Sequence, residues 1–371
     1  MEFSAEKLDL VKELNLTQGV VEKKTTIPIL SNLLLEASDE TLRISATDLE
    51  LGMRSSCAAK VKKEGSGTIP AKRLLEIIRS LPDAEVRFKV LENHWVQVTC
   101  ERSSFKLVGM AKDSFPVLPV VPKALASLPA KLFASMVAKT IFAISSEESR
   151  YTLNGALLIL KPESMAMVAT DGHRLALVEK KAAVKGLSSE LRILIPKKGM
   201  AELGHLLSEV EEETAVELAK DENHLFFSLG KRVLLARMLQ GQFPNYEAVL
   251  PRENNRVVEL NQGAISAAIR RVALLADERS RAIRLQVDKG KLEIFSSSGE
   301  FGEAHEGLDT SYQGEPLQIG FDYQYLLDFL VASTGAEKIR LELKDEQSAG
   351  QFRPLDDSDL DYRYVVMPMR I

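Results

Sequence analysis

Ile69-Pro70-Ala71-Lys72-Arg73-Leu74-Leu75 reappears as Ile195-Pro196-Lys197-Lys198-Gly199-Met200 and, blurred, as Ile319-Gly320-Phe321-Asp322-Tyr323. Ala46-Thr47-Asp48 recurs as Ala169-Thr170-Asp171; its third counterpart is Phe295-Ser296-Ser297-Ser298, matched through Leu42-x-Ile44 and Leu292-x-Ile294. Phe115-Pro116-Val117-Leu118-Pro119 pairs with Phe243-Pro244-Asn245-Tyr246-Glu247-Ala248-Val249-Leu250-Pro251. A spacing of about 125 residues is too long for a solenoid, whose repeats run about 20–50 residues and lean on their neighbours. A unit of this size buries a core of its own. The 371-residue chain, 45% hydrophobic, therefore reads as three tandem globular copies. Such a chain calls for a function that uses the repetition itself.

Two breaks divide the copies. Pro116 to Pro129 is proline-rich and expected to be extended, because proline fixes φ and disfavours helix in the residue before it. Pro244 to Asn255 is the second. The domains expected are 1–120, 128–250 and 254–371. Each opens with an amphipathic helix: Leu8, Val11, Leu14 and Leu16 in the first, Leu132, Phe133, Met136, Val137 and Ile141 in the second, Ile265, Ala268, Ile269, Val272 and Leu275 in the third. Each has a second helix in its middle, carried by Leu74, Leu75, Ile77, Ile78 and Leu81, by Leu203, Leu206 and Leu207, and by Leu326, Leu327, Phe329 and Leu330. Alternating runs such as Thr41 to Ala46 and Lys291 to Ser296 mark half-buried strands between them. Two helices on one face of an antiparallel sheet, used three times, is an α+β arrangement.

The formal charge is −5, ordinary for a soluble chain and not that of an overtly basic nucleic-acid binder. Cys57 and Cys100 form no CxxC motif, the amino terminus lacks a signal-peptide apolar core, and no apolar stretch approaches the about 18 residues of a membrane helix. A cytoplasmic protein with no membrane partner is expected.

Asp171-Gly172-His173-Arg174 resembles an active-site cluster, and a hydrolase or metal-dependent enzyme using Asp171 and His173 is one reading. The other histidines show no ligand spacing around it, the repeat copy Thr47-Asp48-Leu49-Glu50 lacks the histidine, and Gly172 indicates a turn. A turn contributing to a surface pocket is favoured; no catalytic residue, metal or cofactor is expected. Nucleophile-elbow, Walker A, dinucleotide and HExxH motifs do not occur. The end of the chain, Tyr364 to Ile371, is apolar and carries Met367-Pro368-Met369, suiting a docking groove for apolar peptides as well as a last core strand. Basic residues recur at matching points: Lys23-Lys24, Lys72-Arg73 and Arg79; Lys131, Lys139, Arg150 and Lys197-Lys198; Arg270-Arg271, Arg279 and Arg281. They read as solvated helix faces or as one positive stripe facing phosphates. A monomeric peptide-binding scaffold is the remaining alternative.

Ile27-Pro28-Ile29-Leu30-Ser31-Asn32, Leu153-Asn154-Gly155, Ala169 to Leu175, Phe243 to Tyr246 and Tyr364 to Arg370 resemble the bacterial sliding clamp family, the beta subunit of DNA polymerase III, over the whole chain. The resemblance implies three clamp domains per chain, and a head-to-tail homodimer closing a six-domain ring around double-stranded DNA, bound non-specifically and topologically. It implies a partner pocket walled by Leu153, Thr170, Gly172, His173, Arg174, Leu175, Pro244, Val249, Val365, Val366, Met367, Pro368, Met369 and Arg370. The polymerase III alpha subunit, the clamp loader and other clamp-binding-motif proteins would dock there. Lys24, Arg73, Arg150, Lys197 and Lys198 would face DNA. Arg102 and Phe105 of one subunit would meet Leu274, Leu275, Glu300 and Glu303 of the other. Ala248 and Ser280 stand where some members carry arginine and an aromatic, and Glu147 lies near the expected DNA path.

Overall fold

The structure is a computed structural model that describes residues 1–21, 26–147, 149–208, 210–211, 213–355 and 360–370. The first copy runs β1 (Glu2–Glu6), α1 (Lys7–Thr17), β2 (Asn32–Ser38), β3 (Thr41–Thr47), β4 (Leu51–Ala58), β5 (Lys60–Lys63), β6 (Gly65–Pro70), α2 (Ala71–Ser80), β7 (Glu85–Val90), β8 (Trp95–Cys100) and β9 (Ser103–Val108). The second runs β10 (Ala126–Pro129), α3 (Ala130–Thr140), β11 (Gly155–Lys161), β12 (Ser164–Thr170), β13 (Arg174–Lys181), β14 (Leu191–Pro196), α4 (Lys197–Leu206), β15 (Ala215–Lys220), β16 (His224–Leu229) and β17 (Arg232–Arg237). The third runs β18 (Arg256–Asn261), α5 (Gln262–Val272), β19 (Ala282–Asp288), β20 (Lys291–Ser298), β21 (Gly302–Asp309), β22 (Leu317–Asp322), α6 (Tyr323–Ala332), β23 (Lys338–Leu343), β24 (Gly350–Leu355) and β25 (Asp361–Val366).

The repeated Ile-Pro motif falls each time at a strand-to-helix junction: β6 into α2, β14 into α4, β22 into α6. Proline serves here because it ends ladder pairing and suits a helix entry, with Pro70 at φ −60° and ψ 116°. The third copy has Asp322 instead, whose side chain accepts from Gln324 N and caps α6.

All strand pairs are antiparallel, and the sheets ignore the copy boundaries. Two eight-stranded sheets run β10-β15-β16-β17-β4-β3-β2-β6 and β14-β11-β12-β13-β25-β24-β23-β18. The joins are β17 to β4, with Leu235 opposite Gly52, and β13 to β25, with Leu175 opposite Val365. A five-stranded sheet, β5-β1-β7-β8-β9, and a four-stranded one, β21-β20-β19-β22, remain. Joined in this way the three copies group into two compact units, Met1–Ala134 with Lys198–Met238, and Ser135–Lys197 with Leu239–Ile371. The middle copy contributes β15 to β17 to one and β11 to β14 to the other.

Inside the first unit α1 packs on β3, β4 and α2; inside the second α5 packs on β20, β21 and α6. α5 buries Ile265, Ala268, Ile269 and Val272. α1 departs from expectation: it buries Leu10, Glu13, Leu14 and Thr17, whereas Leu8 is 65% exposed and Val11 and Leu16 are half-buried. A carboxylate is tolerated on the buried face because Arg232 of β17 meets Glu13 with two hydrogen bonds, 3.0 Å from Nε and 2.7 Å from Nη2. That fork satisfies the buried charge.

Candidate functional site

The Thr-Asp motif builds the same turn twice. After β3, Thr47 Oγ1 donates to Leu51 O (2.7 Å) and accepts from Leu49 N (3.0 Å), while Asp48 Oδ1 accepts from Glu50 N and Leu51 N. After β12, Thr170 Oγ1 donates to Arg174 O (2.5 Å) and accepts from Gly172 N (3.1 Å), while Asp171 Oδ1 accepts from His173 N and Arg174 N. Short side chains that bond their own backbone hold such turns without help from a sheet. Leu49 and Gly172 share the left-handed conformation, φ 79° and 90°. Any side chain at Gly172 would also meet Arg150 Nη1, 2.5 Å from the position of a Cβ.

Around the second turn lies an apolar cavity of about 150 Å³, lined by Leu153, Thr170, Gly172, His173, Arg174, Leu175, Pro244, Asn245, Tyr246, Val249, Val365 and Met367. Leu175, Val365 and Tyr246 of its lining belong to a buried cluster with Leu157 and Ile159 of β11, Val168 of β12 and Leu177 of β13. Tyr246, with Phe243 and Leu250 of the Phe-Pro segment, folds over that cluster. Gly155 lets β14 approach β11 closely: a Cβ there would lie 2.3 Å from Ile195 O. Val249 and Met367 remain about half exposed at the mouth, at 53% and 48%. Apolar groups left in water beside a formed cavity are what an apolar ligand covers.

Arg174 is the wall's anchor. Its side chain is 10% exposed. Nε donates to Asp171 Oδ2 (3.0 Å), Nη1 to Asp328 Oδ2 (2.6 Å) and Nη2 to Phe142 O (2.6 Å), and the guanidinium lies 4.3 Å from the Tyr325 ring centroid. Two carboxylates, a carbonyl and an aromatic face fix it from several directions. His173 is exposed. Among the described residues no group of three or more His, Cys, Asp or Glu side chains is placed to hold a metal ion.

Four of the residues expected in the pocket wall stand outside this cavity. Val366 is fully buried, its backbone paired with Arg174, so its side chain belongs to the core. Pro368, Met369 and Arg370 line a neighbouring depression with Arg284, Gln318 and Glu346, because Met369 N bonds Gly320 O (2.9 Å) and turns the chain away after β25. Asn245 and Tyr246, which were not expected, line the cavity instead. Their signal was present, an aromatic in a Pro-Asn loop beside an apolar run.

Of the five basic residues expected to face DNA, the four that are described carry protein partners. Lys197 Nζ donates to Ile144 O (3.2 Å) and Ser146 Oγ (2.8 Å); burial pushes its ammonium below the usual range, and the Arg174 charge adds to the effect. Lys198, half exposed, pairs with Asp48 Oδ2. Arg150 pairs with Glu147 (2.8 Å) and donates from Nη1 to Asp171 O (2.6 Å), so it braces the turn beside the cavity. Arg73 is 71% exposed and pairs with Glu76. Lys24 lies outside the described residues.

The expected interface residues sit on two sheet edges. Arg102 and Phe105 lie at β9, the last strand of its sheet, with Arg102 exposed and Phe105 half-buried. Glu300 and Glu303 lie at the start of β21, also an edge strand, and both are exposed. Leu274 is 78% exposed in the short helix Ala273–Leu275 after α5, and Leu275 is half-buried.

Family models for the DNA polymerase III beta subunit match the chain in three pieces: N-terminal domain over residues 1–119, central domain over 127–245 and C-terminal domain over 247–370. A beta sliding clamp of Pseudomonas putida is 35% identical with both chains fully covered, and one of Caulobacter vibrioides is 34% identical, again over both full lengths. Among solved structures, the sliding clamp of Pseudomonas aeruginosa bound to griselimycin aligns with a TM-score of 0.92 at 34% identity over the whole of both chains. That of Bacillus subtilis aligns at 0.91 and 26% identity, covering 100% of this chain and 99% of the other.

Proposed function

The chain belongs to the DNA polymerase III beta-subunit family, the sliding clamps, and on that premise we propose that two copies close head to tail into a ring around duplex DNA. The protein is non-catalytic and acts as a processivity factor. The observation that carries the ring is the rule by which the copies join. In each copy the third strand of the first run (β4, β13, β21) and the third strand of the second run (β9, β17, β25) are equivalent. β17 joins β4 and β25 joins β13. By the same rule β9 joins β21, and of these six strands those two end their sheets. Between two copies the pairing occurs twice and closes, which avoids an open filament.

At that join Phe105 meets Leu274 and Leu275, and Arg102 meets Glu300 and Glu303, opposite charges setting partner and register. Domain limits of 1–120, 128–250 and 254–371 give six similar domains around the hole. Lys24, Arg73, Arg150, Lys197 and Lys198 line the DNA path. A closed ring stays on DNA because leaving needs an opened interface or a free end, so weak phosphate contacts suffice and a net charge of −5 is compatible. The apolar cavity receives peptide motifs of the polymerase alpha subunit, the clamp loader and other partners. Its residues are those of the predicted pocket, with Val366, Pro368, Met369 and Arg370 set around rather than in it. The protein works in the cytoplasm.

The test is topological. The protein is loaded by a clamp-loading ATPase on nicked circular DNA, separated from free protein, and the circle is then cut. Loss on linearisation is expected; retention on the linear molecule overturns the proposal.

A further inference from the structure

The two joins within the chain share one register. Gly52 stands opposite Leu235 in the first, and Leu175 opposite Val365 in the second. Gly52 and Leu175 are each the hairpin partner of the turn's threonine, Thr47 or Thr170. In the third copy Ser297 takes the threonine's place, and its hairpin partner is Glu303. On the other strand, Leu235 comes three residues after Arg232, which pairs with Leu229 across the turn of Gly230 and Lys231. Ser103 pairs with Cys100 across the matching turn of Glu101 and Arg102, so the counterpart of Leu235 is Lys106.

We infer that Lys106 of one copy stands directly opposite Glu303 of a second copy, with Phe105 opposite Ala304, and that this charge pair fixes the register of the β9–β21 join. The inference rests on the ring proposed above and deepens it. Lys106 and Glu303 are both exposed, and neither makes a side-chain hydrogen bond or ion pair with a described residue. The neighbouring side chains of β21 are engaged: Glu306 meets Arg271 through both oxygens, and His305 Nε2 lies 2.9 Å from Glu293 Oε1. Directly opposed residues on one face have Cβ atoms about 4.5–5.5 Å apart, within reach of a lysine and a glutamate. Arg102 lies in the turn before β9, four positions from Lys106, so Lys106 is the cation that faces Glu303. Phe105 against Ala304 repeats the second join, where Tyr364 stands opposite Ala176. A slip of one residue would turn Phe105 to the solvent face. A slip of two would set Lys106 opposite His305 or Phe301, and Phe105 opposite Glu306 or Gly302. A lysine on an edge strand deters stray pairing, and opposite a carboxylate it admits one partner in one register.

The test reverses the charges. Dimer dissociation is followed by sedimentation for wild type, Lys106→Glu, Glu303→Lys and the double reversal, with circular dichroism to check folding. Each single reversal should raise the dissociation constant at least about tenfold, since every ring holds two such joins, and the double reversal should restore most of the loss. Disulfide formation reads the register independently of charge. Ser104→Cys with His305→Cys, opposed in this register, should crosslink the two copies on oxidation; Ser104→Cys with Gly307→Cys, opposed only after a slip of two, should not. The native Cys57 and Cys100 are buried. Single reversals without effect, a double reversal no tighter than the singles, or faster crosslinking of the Gly307 pair overturns the inference and leaves the ring standing. A monomeric wild type overturns the ring and this inference together.

Discussion

The turn at Thr47–Leu51 and the turn at Thr170–Arg174 have the same hydrogen bonds and opposite surroundings. In the first, the free oxygen of Asp48 reaches out to Lys198. In the second, the free oxygen of Asp171 is taken by Arg174, the residue that closes the turn. Leu51 stands where Arg174 stands, and it has nothing to offer a carboxylate. A single exchange between the copies thus decides whether the turn points its charge at a distant lysine or folds it back to build a wall. Repetition supplied the scaffold, and divergence at one turn residue made one copy a pocket edge.

The largest test removes the arginine. Arg174→Ala leaves Asp171 and Asp328, 15% and 24% exposed, without their shared cation. Breaking a buried pair from one side costs about 3–5 kcal/mol, and the loss should appear in denaturant unfolding with loss of peptide binding. A change below about 1 kcal/mol, on the scale of a surface pair, would show that the network does not hold the wall.

Next come the two aspartates. Asp48→Ala and Asp171→Ala each strip two backbone N–H groups of their acceptor, worth about 1–2 kcal/mol. Asp171→Ala should cost more, because Arg174 and the Arg150 brace depend on that turn. Equal losses by thermal unfolding would erase the distinction between the copies.

A smaller effect concerns Glu202 of α4, a buried carboxyl close enough to Gly19 that a Cβ on Gly19 would lie 1.9 Å from its Oε1. Burial pushes its pKa above the ordinary 4.5, and the Asp48 charge adds to the shift against His205 and Lys198. The folded state therefore holds this proton more tightly than the unfolded chain. The resulting stability is present below pH 4.5 and is lost as pH rises through the folded pKa. Glu202→Gln should stabilise the protein at pH 7 and flatten the stability profile over that window. Destabilisation at pH 7 would mean that the His205 and Lys198 attractions outweigh burial.

The smallest change in stability should come from Val249→Ala. Val249 is half exposed at the cavity mouth, so unfolding should shift by less than about 0.5 kcal/mol while peptide affinity falls. Unchanged affinity would remove Val249 from the site.

What could be read from the sequence followed from local spacing. The Ile-Pro junctions, the buried stripes of α2 and α5, and the Asp171-Gly172 turn are all decided within a few residues. What could not be read depends on residues far apart. Arg174 meets Asp328 and Tyr325, more than 150 positions on, and no periodicity announces them. The buried face of α1 is hidden in the sequence because Glu13 counts as polar until Arg232, more than 200 positions on, is known to meet it. The course of the tail from Pro368 to Arg370 depends on one backbone bond, from Met369 N to Gly320 O, that no local pattern announces.

The joins between copies also set a schedule for synthesis. Arg54 of β4 pairs with Val233, made about 180 residues later, which at about 5–20 residues per second is a wait of roughly 10–40 s. β13 then waits a similar time for β25, the last strand. During each interval an emerging chain carries a raw strand edge able to pair with the wrong neighbour. The sheets that tie the copies together when complete are therefore its most vulnerable surfaces while it is being made.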